Sequence, residues 1–234
     1  MLLNPPLQPI LHTPRSLFWR VTLVSLLLLL AWDASGLDRS MARWFGDANG
    51  FAWRENWFVV HVLHNSAQNL GWIWLGGMVL AVFWPVGVLR RLTRGERAGM
   101  VGGTLLALLA IIWMKLASHT SCPWDLAEFG GTANYVSHWA WGVHDSGGGH
   151  CFPGGHASTG FALLAGYFGL RAKAPRAARW WLAGALLTGF GLGLVQQVRG
   201  AHFMSHTFWT AWICWTVAGL AEMGMRRLTA ARPA

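Results

Sequence analysis

The chain has 234 residues, 54% of them apolar and 12% charged, with 17 tryptophans. Soluble domains carry about 25% charged residues, so this balance excludes an ordinary soluble domain and points to a chain that meets lipid. The formal charge of +9 raises a nucleic-acid reading, but the basic residues do not gather with aromatics in a polar domain, and no nucleic-acid partner is expected.

A hydrocarbon layer of ~30 Å takes about 20 mostly apolar residues per helix. Six runs approach that length, at residues 17–32, 69–89, 99–117, 156–170, 180–198 and 202–223. They predict an all-α fold, an integral membrane bundle of six transmembrane helices forming one domain over residues 1–234. Residues 1–16 read as a tail that carries Pro5, Pro6, Pro9 and Pro14. Arg15 and Arg20 with Ala34-Ser35-Gly36 around the first run resemble a cleavable signal peptide. The long proline-rich lead argues for a retained span, and so does the odd number of spans that cleavage would leave.

After the first run, residues 33–68 mix Arg39, Arg43 and Arg54 with Asp33, Asp38, Asp47 and Glu55. Their aromatics Trp44, Phe45, Phe51, Trp53, Trp57 and Phe58 suit an interface, as a lipid-access surface or as an ordinary aromatic belt. Arg90, Arg91, Arg94 and Arg97 separate the second and third runs. Arg171, Lys173, Arg176 and Arg179 separate the fourth and fifth, and Arg226, Arg227 and Arg232 follow the sixth. The positive-inside rule places these, and both termini, on the cytoplasmic side. Residues 118–155 then form an outer loop, and up to Pro153 this loop contains no Lys or Arg.

Seven of the ten histidines, His119, His138, His144, His150, His156, His202 and His206, fall in that loop or at the outer ends of runs. A single interfacial histidine is commonly an amphipathic anchor, whereas ionisable groups converging at span ends mark a site. Three segments converge. In "KLASHTSCPWD", Lys115 ends the third run, where a lysine also has the option of snorkelling to the interface. In "GHCFPGGHAS", Gly154 and Gly155 leave backbone N–H groups open, and a helix start beyond them favours an anion beside His156. An equally simple reading is a glycine turn re-entering the bilayer. In "VRGAHFMSHTFW", His202 and His206 stand one helical turn apart with Arg199 three residues earlier, a layout that suits an oriented nucleophile or a metal ion. Cys122 and Cys151 share the outer loop and are placed to pair in an oxidising compartment; two small buried thiols are the other reading. Cys214 lies in the last run.

In their order and spacing, the three segments resemble the membrane-bound type 2 phosphatidic acid phosphatase superfamily. Its signature is K-x6-R-P, P-S-G-H and S-R-x5-H-x3-D on a six-helix bundle. The resemblance spans Lys115 to Thr210. It implies that Lys115 binds phosphate, that His156 protonates the leaving oxygen, and that His202 attacks phosphorus; Arg199, offset by about one helical turn from the family's arginine, and the Gly154-Gly155 turn are expected to reach the same phosphate. Cys122 replaces the first motif's arginine, Gly154 the serine, Gln196 the third motif's arginine, and His206 the aspartate that orients the nucleophile. Asp125, Glu128 and Asp145 are the loop carboxylates available to substitute for that aspartate, and Asp125 is nearest in sequence to the first motif.

The expectation is a membrane phosphatase or phosphotransferase. It would hydrolyse a lipid phosphate or pyrophosphate at the outer, periplasmic face of a bacterial inner membrane through a phosphohistidine, with membrane lipids as partners and no cofactor or metal. The alternatives are a metal-dependent hydrolase or metal-binding protein using His202 and His206 with His119 or His150, and a non-catalytic lipid-binding relative. Zinc needs three or four ligands, of which the spacing supports only two.

Overall fold

Pro85 ends one helix and Pro175 opens another, because proline lacks an N–H donor and fixes φ. In the computed structural model, which describes residues 15–140 and 142–230, the chain is mainly helical: α1 (Arg15–Ser35), α2 (Leu37–Ala42), α3 (Ser66–Phe83), α4 (Arg94–Ala117), α5 (Ser158–Phe161), α6 (Leu164–Leu170), α7 (Pro175–Val198) and α8 (Met204–Ala230). Residues 1–14 of the expected tail lie outside the described residues, and Arg15 and Ser16 already belong to α1.

Several boundaries move for identifiable reasons. The second run begins earlier than expected, as a π-helical turn over Phe58–Asn65 that leads into α3, and it stops at Phe83, short of Pro85. The third run starts at Arg94, where Thr93 and Glu96 form a reciprocal capping box that satisfies two orphan donors. The fourth run is broken between α5 and α6. At the break, Leu163 O accepts from Trp181 Nε1 at 2.7 Å as well as from the Gly166 N–H at 2.9 Å, which ties the interruption to α7. Gly160 and Gly166 permit this close approach, since a Cβ on either would meet Gly189 or Trp181 within 2.2 Å.

Among the described residues, four helical stretches are long and apolar enough to cross a membrane: Ser16–Ser35, Phe58–Arg91, Arg94–Ala117 and Pro175–Val198. Leu27, Leu28, Ile73, Trp113, Trp180 and Leu187 stand exposed on them, a surface that fits an integral membrane protein. The segment from α5 to α6 is shorter, and α8 is long but polar along one face. That polarity is internal: Ser205, His206, Thr207 and Thr210 are at most 1% exposed. Helix α8 packs against α1, α4, α6 and α7 around Phe18, Ile111, Phe161, Phe168 and Cys214.

At one end of the bundle, α2, a two-residue hairpin (Gly46–Asp47 with Gly50–Phe51) and the loop after α4 close on one another. Phe51, Leu126, Phe129, Ala133 and Phe203 form a separate apolar cluster there. Phe51, expected among interfacial aromatics, is therefore buried, while Trp44 and Trp57 are exposed.

Candidate active site

A cavity of about 380 Å³ is lined by Lys115, Gly155, His156, Arg199 and His202, together with Gln68, Cys122, Trp124, Thr159, Gln196 and Ala201. Lys115 reaches it from the last turn of α4. The carbonyl of Lys115 accepts from His150 Nδ1 at 3.1 Å, so the loop grips the turn that carries the ammonium. Arg199, just past α7, donates from Nε to Arg54 O at 3.1 Å and from its guanidinium to Gln196 Oε1 at 3.4 Å, and it lies over the Trp124 ring. Burial lowers the Arg199 pKa, but from a value so high that the guanidinium stays charged.

His202 is 5% exposed and His206 1%. Their Nδ1 atoms are 3.4 Å apart, and His202 Nδ1 is also 3.5 Å from Cys151 Sγ. One Nδ1 must therefore carry a proton and the other accept it. His206 supports His202 from behind and does not line the cavity. Cys122 and Cys151 are joined by a disulfide with Cα atoms 5.2 Å apart, within the usual range of bridge geometry. The bridge ties the turn after α4 to the segment before His156.

Gly154 departs from its expected role. Its N–H donates to His206 O at 3.2 Å and its carbonyl accepts from Thr210 Oγ1 at 3.0 Å, so Gly154 locks the turn onto α8 and its N–H is not available to an anion. The first donors of α5 are also engaged, since Ser158, Thr159 and Gly160 N–H bond the carbonyls of Gly155, His156 and Ala157. The loop carboxylates are committed elsewhere. Asp125 accepts from Cys122 N–H in its own turn, Asp145 accepts from Ser121, and Glu128 pairs with Arg39 and Arg43. Burial opposes ionisation of Glu128, yet the hydrogen bonds and charges of the two arginines hold its pKa below the ordinary value.

Sequence reasoning missed two carboxylates, Asp33 and Asp38, which buttress α8. Asp33 accepts from Trp139 and Trp209 and pairs with His138, whose ring stacks on Phe152. Phe152 in turn meets His206 edge-on. Asp38 accepts from the Ser205 N–H and hydroxyl and from Trp32. Burial outweighs these bonds and raises the Asp38 pKa. Their only signal in the sequence was two acids within six residues of the end of an apolar run.

The sequence of residues 98–228, more than half of the chain, matches the model of the PAP2 superfamily. The chain belongs to the PAP2 superfamily. No curated protein and no solved structure is significantly similar to it. PAP2 membership supports phosphatase-type chemistry on phosphate esters. For metal binding, the His119 ring packs on His144 and His150 is held at Lys115 O, so neither expected third ligand stands with His202 and His206. Cys151 does: its sulfur and one nitrogen from each ring lie within 4.8 Å of one another.

Proposed function

We propose that this PAP2 protein is a membrane phosphatase or phosphotransferase that acts on a lipid phosphate or pyrophosphate at the outer face of the membrane, with His202 as nucleophile. One observation carries the reading: Lys115, Gly155, His156, Arg199 and His202 line one cavity. Two cations and two imidazoles around a single space match the needs of phosphoryl transfer, where positioning and charge stabilisation account for most of the catalysis.

In the reactive tautomer, His202 keeps its proton on Nδ1 and donates it to His206 Nδ1. That leaves the lone pair of His202 Nε2 free to attack phosphorus. The bond from phosphorus to the leaving oxygen breaks as the new N–P bond forms, and His156 delivers a proton to that oxygen. Water then attacks the phosphohistidine, with His156 as the base, and His202 is released. Lys115 and Arg199 hold the phosphoryl oxygens throughout. Gln196, in the place of the family's arginine, keeps a donor without the charge. Its Oε1 accepts from Arg199, and its buried Nε2 has no partner among the described residues. A phosphate oxygen in the cavity would satisfy it.

The exposed apolar surface and the absence of Lys and Arg between residues 118 and 153 favour a lipid substrate and the non-cytoplasmic side. Six spans, cytoplasmic termini and a bacterial inner membrane complete the proposed setting. The test is phosphate release from a panel of lipid phosphates and pyrophosphates by full-length protein in detergent, with and without a chelator. Turnover of at least one member, insensitive to chelator and reduced about 10⁴-fold or more in His202→Ala, is expected. Full activity in His202→Ala would remove the phosphohistidine.

A further inference from the structure

Cys151 is fully buried with His202 and His206, yet one partner of its disulfide, Cys122, faces the cavity. We propose that reduction of the Cys122–Cys151 bond opens a zinc site formed by Cys151, His202 and His206, so that the redox state of one disulfide decides whether this centre holds a metal.

The distances carry the proposal. Tetrahedral zinc with Zn–N of ~2.0–2.1 Å and Zn–S of ~2.3 Å places nitrogen ligands roughly 3.3–3.4 Å apart and sulfur roughly 3.5–3.6 Å from nitrogen. The two Nδ1 atoms are 3.4 Å apart, and Cys151 Sγ is 3.5 Å from His202 Nδ1. Two of the three ligand–ligand distances therefore already match a zinc coordination sphere, and all three ligand atoms lie within 4.8 Å of one another. In the disulfide form Cys151 has no thiolate to offer, and two histidines alone are too few. Reduction supplies the missing ligand without moving the backbone. Cys122, freed beside the cavity, leaves the fourth position to water.

The chemistry balances with a phosphine as reductant. Phosphorus attacks the accessible Cys122 sulfur, the S–S bond breaks, and Cys151 leaves as a thiolate. Water then hydrolyses the phosphorus–sulfur bond, giving phosphine oxide, the Cys122 thiol and one released proton. Two electrons pass from phosphorus to the sulfur pair. A dithiol of the same compartment does the equivalent by exchange, ending as its own disulfide. Zinc then takes the Nδ1 lone pairs between which the histidines share a proton, and the His202 proton shifts to Nε2. Metal binding and nucleophilic attack would therefore exclude each other. That consequence rests on the proposed phosphohistidine, whereas metal binding does not.

The experiment uses full-length protein in detergent and cobalt(II), then zinc(II), as probes. After treatment with a phosphine and desalting, the wild type is expected to bind about one cobalt per chain with a thiolate-to-cobalt charge-transfer band and tetrahedral d–d absorption, displaced by zinc. The untreated wild type is expected to bind at least about tenfold less. Cys122→Ser, which leaves Cys151 a permanent thiol, should bind cobalt with no reductant at all. Cys151→Ser should not bind after reduction, and His206→Ala should bind at least about tenfold more weakly. Equal cobalt binding by oxidised and reduced wild type would overturn the proposal. So would a missing charge-transfer band in both reduced wild type and Cys122→Ser, or undiminished binding by Cys151→Ser.

Discussion

At the N-terminal end of α4, Glu96 receives Lys173 at 2.6 Å, and on α8 Glu222 receives Arg171 at 3.1 Å as well as Arg226. At the other end of α4, ~28 Å along the helix axis, Lys115 and Arg199 line a cavity, and among the described residues neither forms an ion pair with a carboxylate. The carboxylates near that end are spent on other partners: Glu128 on Arg39 and Arg43, Asp145 on Ser121, and Asp33 on His138 and two indoles. Lys173, Arg171 and Arg226 are thus neutralised within the chain, whereas Lys115 and Arg199, where the histidines converge, have no carboxylate partner among the described residues. A buried cation without a countercharge costs free energy even when it is hydrogen-bonded, as Arg199 is, and an anionic substrate is the natural compensation.

The comparison breaks most visibly in Lys115→Met set against Lys173→Met. We expect Lys115→Met to lose about 10²–10³ in kcat/KM for a lipid phosphate, while Lys173→Met changes it by less than about twofold, because exposed ion pairs contribute little. Equal losses in steady-state kinetics would show that the two ends are not functionally distinct.

A second contrast concerns the support of His202. A neutral ring stands where the family places an aspartate, and all three loop acids are held elsewhere. His206→Ala is therefore expected to lose about 10²-fold in turnover, with no rescue from the loop. His206→Asp should retain or exceed wild-type turnover, since a carboxylate better stabilises the imidazolium-like intermediate. Turnover measured side by side for the two variants separates orientation from mere packing.

The smallest effect lies in the tether between α2 and the loop. The folded-state pKa of Glu128 is held below its unfolded value, so the pairing stabilises the fold fully above about pH 4.3 and is lost as pH falls through the folded value. Thermal melts of Glu128→Gln should show a loss of no more than about 1 kcal/mol at neutral pH and a flatter acid limb. An unchanged acid limb would remove the tether.

Much of this was legible from residue order. The spacing of Lys115, Pro153, His156 and His202 brought out the cavity wall, because each motif ends or begins a helix and helix ends are fixed by composition. Gly154 was misread because a Gly-Gly turn looks open in sequence, and only the packing of α8 reveals that His206 O takes its N–H. The polar face of α8 depresses its hydropathy, and that face looks inward, where Ser205, His206, Thr207 and Thr210 are buried. Asp33 and Asp38 were invisible as buttresses since their partners, Trp209 and Ser205, lie more than 160 residues away in the chain.

The most direct measurement is a rapid quench of full-length protein turning over a lipid phosphate labelled in the phosphoryl group, followed by peptide mass spectrometry. A base-stable, acid-labile phosphoryl group on His202, absent from His202→Ala, is the predicted result. Label on no residue while phosphate is released at the wild-type rate, or label on a residue other than His202, would contradict the account.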